Sequence, residues 1–131
     1  MKIFGIGTDI VNIKRMENSL KKRGLIFKNK IFSKNEISYC EKKRNSSSFY
    51  AKRFAAKEAF SKALGTGIRK GVNLKNIEVS NNIQGKPSII LKGNLANYLK
   101  KKINNKKYNI YLSLSDDKPW AQATVIISYD K

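Results

Sequence analysis

The stretch "RFAAKEAFSKALGTG", residues 53–67, reads as a long helix closed by glycine. With Glu58 set at zero and 100° allowed per residue, Ala51, Phe54, Ala55, Lys62 and Gly65 fall within about 60° of it. Phe49, Ala56, Phe60 and Ala63 gather on the opposite side. A helix that is largely apolar on both sides is packed from more than one direction, so the rest of the chain is expected to fold around it. Glu58 is then a charge on an apolar helix. A carboxylate that loses part of its water needs a partner.

The chain has 131 residues, enough for one domain, 1–131, with a real core. Hydrophobic content of 40% with 10% aromatics argues against disorder. No apolar run approaches the roughly 18 residues of a membrane span. The start, "MKIFGIGTDIV", makes a poor secretory signal, so the expected location is the cytoplasm, away from membranes. One cysteine, Cys40, and no histidine exclude an internal disulfide, a serine–histidine triad and a histidine-ligated zinc. Cys40, in "NEISYCEKK", reads as a small packing residue. Any metal site must use oxygen ligands, which favours magnesium or manganese.

Net charge is +19, from 28 Lys and Arg against nine Asp and Glu. Such a chain suits polyanionic partners: nucleic acid, a phosphate-rich cofactor, an anionic membrane or an acidic protein. Most of the basic residues are lysine and the chain is rich in Asn and Ile, so an A/T-rich coding bias also raises the charge. Charge alone does not choose among these partners.

Residues 3–9, "IFGIGTD", read as a strand ending in a turn, and 12–23 as a helix with Ile13, Met16 and Leu20 on one stripe. In "SKNEISYCEKK", Ser33 and Glu36 have capping-box spacing. The serines at 46–48 offer an N-cap to the long helix, which ends at Gly65 or Gly67. "NIEVSNN" and "KPSIILKG" flank a hairpin at "IQG". "NLANYLKKKI" is a short basic helix, and "YNIYLSLSDD" and "WAQATVIISYD" form a second hairpin around "DKP". A strand, then helices, then mostly strands is an α+β order.

"GIGTDI" begins like a dinucleotide-binding glycine motif but ends in isoleucine. "GTGIRKG" lacks P-loop spacing, although backbone amides with Arg69 and Lys70 suit a phosphate. Asp9 can cap the following helix. Glu58 can pair with Lys62 one turn on, for about 0.3–0.5 kcal/mol if exposed. Alternatively, a divalent ion shared by Asp9 and Glu58 satisfies both carboxylates and organises a pyrophosphate.

"FGIGTDIV", "RFAAKEAFSKALGTG" and "SLSDDKPWAQATV", in that order and spacing, resemble the bacterial holo-acyl-carrier-protein synthases, the small class of 4′-phosphopantetheinyl transferases. The resemblance runs nearly end to end. It implies an antiparallel sheet packed around a long central helix. The implied reaction transfers the phosphopantetheine arm of coenzyme A to a serine of acyl carrier protein, releasing adenosine 3′,5′-bisphosphate. It also implies that Asp9 and Glu58 hold magnesium, with manganese an alternative, and that Glu58 is a candidate base for the serine. Lys62, Gly65, Lys86, Pro87 and Ser115 are the implied coenzyme A contacts. The basic first helix, with Lys14, Arg15, Lys21, Lys22 and Arg23, is implied to dock the acidic carrier protein. The family forms trimers with active sites between subunits, so a homotrimer is expected.

One position departs from the pattern. Family members usually carry histidine after "S-[IL]-S", where "SLSDD" has Asp116. Asp116 repels a nearby phosphate unless the metal or Lys118 compensates; otherwise it is a third acid near the metal, or an alternative base. Two rivals stand beside the transferase reading. One is a nucleic-acid-binding module, disfavoured because basic residues are spread along the chain and no nucleic-acid motif occurs. The other keeps the fold but binds without catalysing.

Overall fold

The computed structural model describes residues 1–65 and 72–131. Gly67, Arg69 and Lys70, read above as a helix end and a phosphate contact, lie outside the described residues. Strand β1 (Lys2–Asn12) leads into helix α1 (Ile13–Ile31), α2 (Lys34–Glu41) and the long α3 (Ser46–Leu64). A hairpin of β2 (Ile77–Asn81) and β3 (Pro87–Leu91), helix α4 (Leu95–Lys102) and the strands β4 (Tyr108–Asp117) and β5 (Trp120–Tyr129) follow. Two antiparallel sheets result, one ordered β1-β5-β4 and one formed by β2-β3.

Helix α3 holds the two hydrophobic clusters together. Ala55, Ala59, Phe60 and Ala63 pack with Val125, Ile127 and Leu99 in one; Tyr50 and Ala51 pack with Ile13, Met16, Phe32 and Cys40 in the other. The two-sided apolar pattern is thus the sequence record of a central helix. Cys40 is fully buried, and burial pushes its thiol up to about 12, so it acts as a small apolar filler.

The glycines of "FGIGTD" sit inside β1 and open no turn. A Cβ on Gly5 would lie 1.8 Å from the Ala63 carbonyl oxygen, and one on Gly7 1.9 Å from that of Ala59. The strand therefore rests directly on the backbone of α3, an approach that only glycine permits. The dinucleotide motif is replaced by a packing motif.

Several local expectations shift. Because β1 runs on to Asn12, Asp9 lies within the strand, and Asn12 caps α1 by accepting from the Arg15 N–H at 2.9 Å. Helix α1 continues past Arg23 to Ile31, with a break at Gly24, whose φ of 59° suits glycine. Asn45, without a side-chain cap bond, takes the N-cap of α3, and the serines fill its first turn. The other end matches expectation: Gly65, at φ 88°, closes the helix in a left-handed conformation.

Glu36 completes the expected capping box, accepting from Ser33 N–H at 2.9 Å, but it also does something long-range. Its carboxylate meets the Lys57 ammonium at 2.7 Å and accepts from Val79 N–H at 2.9 Å, with both side chains of the ion pair fully buried. Lys57 also donates to the Leu74 and Ile77 carbonyls. Burial pulls the Lys57 ammonium below its ordinary range, while the Glu36 charge pulls it back up.

Candidate active site

Gly5, Gly7 and Asp9 alternate on the face of β1 that meets α3, so the glycines set the distance at which Asp9 confronts the helix. Two rungs of α3 face it, Glu58 and Lys62, one turn apart. The Lys62 ammonium donates to Asp9 Oδ1 at 3.0 Å and to the Thr8 carbonyl at 2.9 Å. Lys62 thus pairs with the strand. Among the described residues no ion pair joins it to Glu58. Glu58 is half-buried, and its carboxyl is raised above the usual carboxylate range. Burial is the main cause and the Asp9 charge the second, with Lys62 opposing both. Asp9 and Glu58 are therefore neighbours that repel, a pair short of positive charge.

The donor set fits a hard divalent ion. Two carboxylates face one another, and among the described residues no group of three or more His, Cys, Asp or Glu forms a closed cage. Magnesium suits such a site, because it keeps several waters and takes one or two carboxylates together with substrate phosphates.

The other singled-out residues fall into separate regions. Lys86 lies exposed in the β2-β3 turn, where its N–H donates to Asn82 Oδ1 at 2.9 Å. Pro87 lines a small cavity with Lys52, Arg53 and Leu114. Ser115 pairs with Gln122 on the opposite face of the sheet from Asp9 and donates to its Oε1 at 3.2 Å. Asp116 joins neither Asp9 nor Glu58 in a three-acid cluster. Its compensating cation is Lys52, at 3.2 Å, in place of the expected Lys118. That partner leaves no local signal, because the two residues meet only through the fold.

On α1, Lys14, Arg15, Lys21, Lys22 and Arg23 are all exposed. Glu17 sits between Lys14 at 3.0 Å and Lys21 at 3.7 Å, and the Lys14 hydrogen bond leads in lowering its carboxyl. Met16 is buried beneath them. Sequence reading missed Leu25 and Ile26, 67% and 82% exposed just after the Gly24 break. The glycine was the available signal. Among the described residues no helix is long and apolar enough to cross a membrane.

A glycine-lined strand laid on a helix, with facing carboxylates and a lysine at the crossing, brings together groups suited to a cation and a phosphate. The family model described as "ACPS: 4'-phosphopantetheinyl transferase superfamily" matches residues 5–123, and the chain belongs to that family. A holo-[acyl-carrier-protein] synthase from Pelagibacter ubique is 46% identical over 127 residues, covering 97% of this chain and 98% of its own. The crystal structure of holo-[acyl-carrier-protein] synthase from Neisseria meningitidis superposes with a TM-score of 0.86 at 37% identity, covering 96% and 98% of the two chains. That from Helicobacter pylori, in complex with coenzyme A, gives 0.81 at 36% identity, covering 94% and 99%.

Proposed function

We infer that this chain transfers the 4′-phosphopantetheine arm of coenzyme A to a serine of apo acyl carrier protein, releasing adenosine 3′,5′-bisphosphate. In the reaction the serine oxygen bonds to the phosphorus that carries the pantetheine arm. The pyrophosphate bridge on its far side breaks, and the serine proton leaves. The observation that carries the assignment is the meeting of Asp9, Glu58 and Lys62 where β1 crosses α3.

Asp9 and Glu58 hold a divalent cation, magnesium or manganese. When bound, it supplies positive charge against the pyrophosphate as negative charge develops there. The raised proton affinity of Glu58 suits it to accept the serine proton, directly or through a water. Lys62, its side chain 55% exposed, is free to share its ammonium between Asp9 and a pyrophosphate oxygen. Gly65, which ends α3 three residues on, Lys86 and Pro87 complete the coenzyme contacts within the chain.

Ser115, facing away from Asp9, contributes to coenzyme binding only through a neighbouring subunit. This accords with a homotrimer whose sites lie between subunits. The outer face and edges of the β1-β5-β4 sheet support that assembly, since Ile6, Ile10, Tyr111 and Trp120 are 46–66% exposed there. The exposed cations of α1, with Leu25 and Ile26 beyond them, form the docking face for the acidic carrier protein. The whole chain, 1–131, acts as one domain and works in the cytoplasm.

The test is to incubate the protein with coenzyme A and apo acyl carrier protein, with magnesium or with EDTA, and to weigh the carrier. A magnesium-dependent gain of one phosphopantetheine arm is expected. A gain undiminished by EDTA would remove the metal role of Asp9 and Glu58, and no gain beside a working synthase would remove the transferase reading.

A further inference from the structure

Asp116 was read above as an anion that needs a compensating charge. The structure shows what surrounds it. Its side chain, 31% exposed, meets the Lys52 ammonium, whose own side chain is only 16% exposed. That ammonium also stands 4.2 Å from the centre of the Phe49 ring, so a carboxylate and an aromatic face hold it together.

Lys52 borders a cavity of about 180 Å³ with Arg53, Phe49, Asn81, Pro87 and Leu114. A cavity this small takes one part of a ligand, because sites for whole small molecules run to about 300–1,000 Å³. Arg53 is the second cation at its wall. The guanidinium lies 4.2 Å from the Tyr39 ring centre and donates through Nη2 to Asn81 Oδ1. Its Nε, on a residue 2% exposed, has no partner among the described residues. A buried donor without an acceptor favours a ligand that supplies one. With Lys52 and Arg53 on it and no carboxylate among its lining residues, the cavity wall is suited to an anion. Asp116 does not itself border the cavity, and it is not grouped with the carboxylates at Asp9 and Glu58. Among the described residues, its ion-pair contact with the cavity wall is Lys52.

We propose that Asp116 is a positioning residue that acts through Lys52, holding that ammonium at the cavity wall as a counter-charge for a phosphate of coenzyme A. The proposal rests on the transferase reading above. It gives Asp116 neither a proton-transfer role nor a place at the metal. The cationic element at this point of the site is then Lys52, brought from α3 to serve beside a strand residue that is itself negative.

A double-mutant cycle tests this with coenzyme A and apo carrier protein as substrates. Lys52→Met is expected to raise the KM for coenzyme A by about tenfold, and Asp116→Asn by about threefold, both with kcat within about twofold of the parent. The double variant should lose no affinity beyond Lys52→Met alone, and should regain whatever the unpaired Asp116 carboxylate repels in that variant, because Asp116 has nothing left to hold. Lys52→Arg should retain most of the affinity, since a guanidinium can keep the carboxylate contact. Binding of adenosine 3′,5′-bisphosphate, measured without turnover, should weaken in parallel. The kcat–pH profile of Asp116→Asn should keep the parent shape.

A fall in kcat or a displaced pH profile in Asp116→Asn would overturn the proposal in favour of direct participation. A further loss in the double variant would show that Asp116 acts independently of Lys52. Unchanged KM in both single variants would reduce the contact to a surface ion pair. An unmodified protein that moves no phosphopantetheine would instead sink the transferase reading, an outcome read separately from the variants.

Discussion

Two neighbouring sets of charges in the middle of helix α3 are built in opposite ways. Around Lys57 the ammonium is sealed from water, with the Glu36 carboxylate at 2.7 Å and two backbone carbonyls as acceptors. Around Glu58, the next residue, a carboxylate is half-buried beside the like charge of Asp9, and the nearby ammonium of Lys62 stays open to solvent. The first set is satisfied and closed, and it ties α2, α3 and β2 together. The second is electrostatically incomplete and open. One residue apart in sequence, and 100° apart in direction, the helix thus presents a brace on one side and the candidate site on the other. Incompleteness marks the site, because a group that already has its partners has little left for a substrate.

The comparison breaks first at the closed set. Lys57→Met should destabilise the protein by about 3–5 kcal/mol, because Glu36 is left buried without its counter-charge. Chemical denaturation is the measurement. Replacing Glu36 as well should not restore full stability, since Val79 N–H and Ser33 N–H then lose their acceptor.

At the open set the large effect falls on rate and not on stability. Asp9→Asn or Glu58→Gln should lower turnover by about 10²–10³-fold, measured by mass of the carrier protein. Glu58→Gln should also make the metal-free protein more stable at neutral pH. The folded carboxyl holds its proton more tightly than the unfolded one. The native state therefore binds more protons over the window that begins near about pH 4.3, and stability from this group falls as pH rises through it. Removing the charge removes that loss, so melting curves of the metal-free variant and parent should diverge above that pH and converge below it. A magnesium-induced rise in Tm should be present in the parent and absent from the variant.

Gly7→Ala links the two regions. The added methyl meets the Ala59 carbonyl of α3, so β1 must lift, and overpacking of this kind costs about 1–3 kcal/mol. Activity should fall with it, because Asp9 moves with the strand. A variant that stays stable but loses turnover would show that the site demands closer spacing than the core does. The smallest effect is expected farthest from both sets. Reversing Lys21 and Lys22 to Glu should raise KM for the carrier protein by about tenfold, leave KM for coenzyme A unchanged, and flatten the dependence on salt.

Much of this was legible in the chain because it is written in local patterns. The two-sided apolar helix, the Ser33–Glu36 cap, both hairpins and the Gly65 stop each depend on residues a few positions apart, and each appears in the structure. The candidate site was legible as residue types at family spacing, with Asp9 and Glu58 brought to the same crossing. Strand and helix ends were less so. Whether β1 stops at Asp9 or Asn12 is settled by pairing with β5, and that pairing places Asp9 inside the strand and leaves Asn12 to cap α1.

By itself, then, the sequence determined that a central helix would be packed from two sides, that it would carry a carboxylate needing a partner, and which family of chains shares those motifs. Tertiary structure alone decided which charge meets which. Lys62 goes to Asp9, 53 positions away, instead of to Glu58 one turn behind; Lys57 takes Glu36, 21 positions away; Asp116 takes Lys52 instead of Lys118. The physical reason is that helix and strand periodicities are properties of neighbouring residues. The choice of an ion-pair partner depends instead on burial and distance, which exist only once distant segments have been laid against each other.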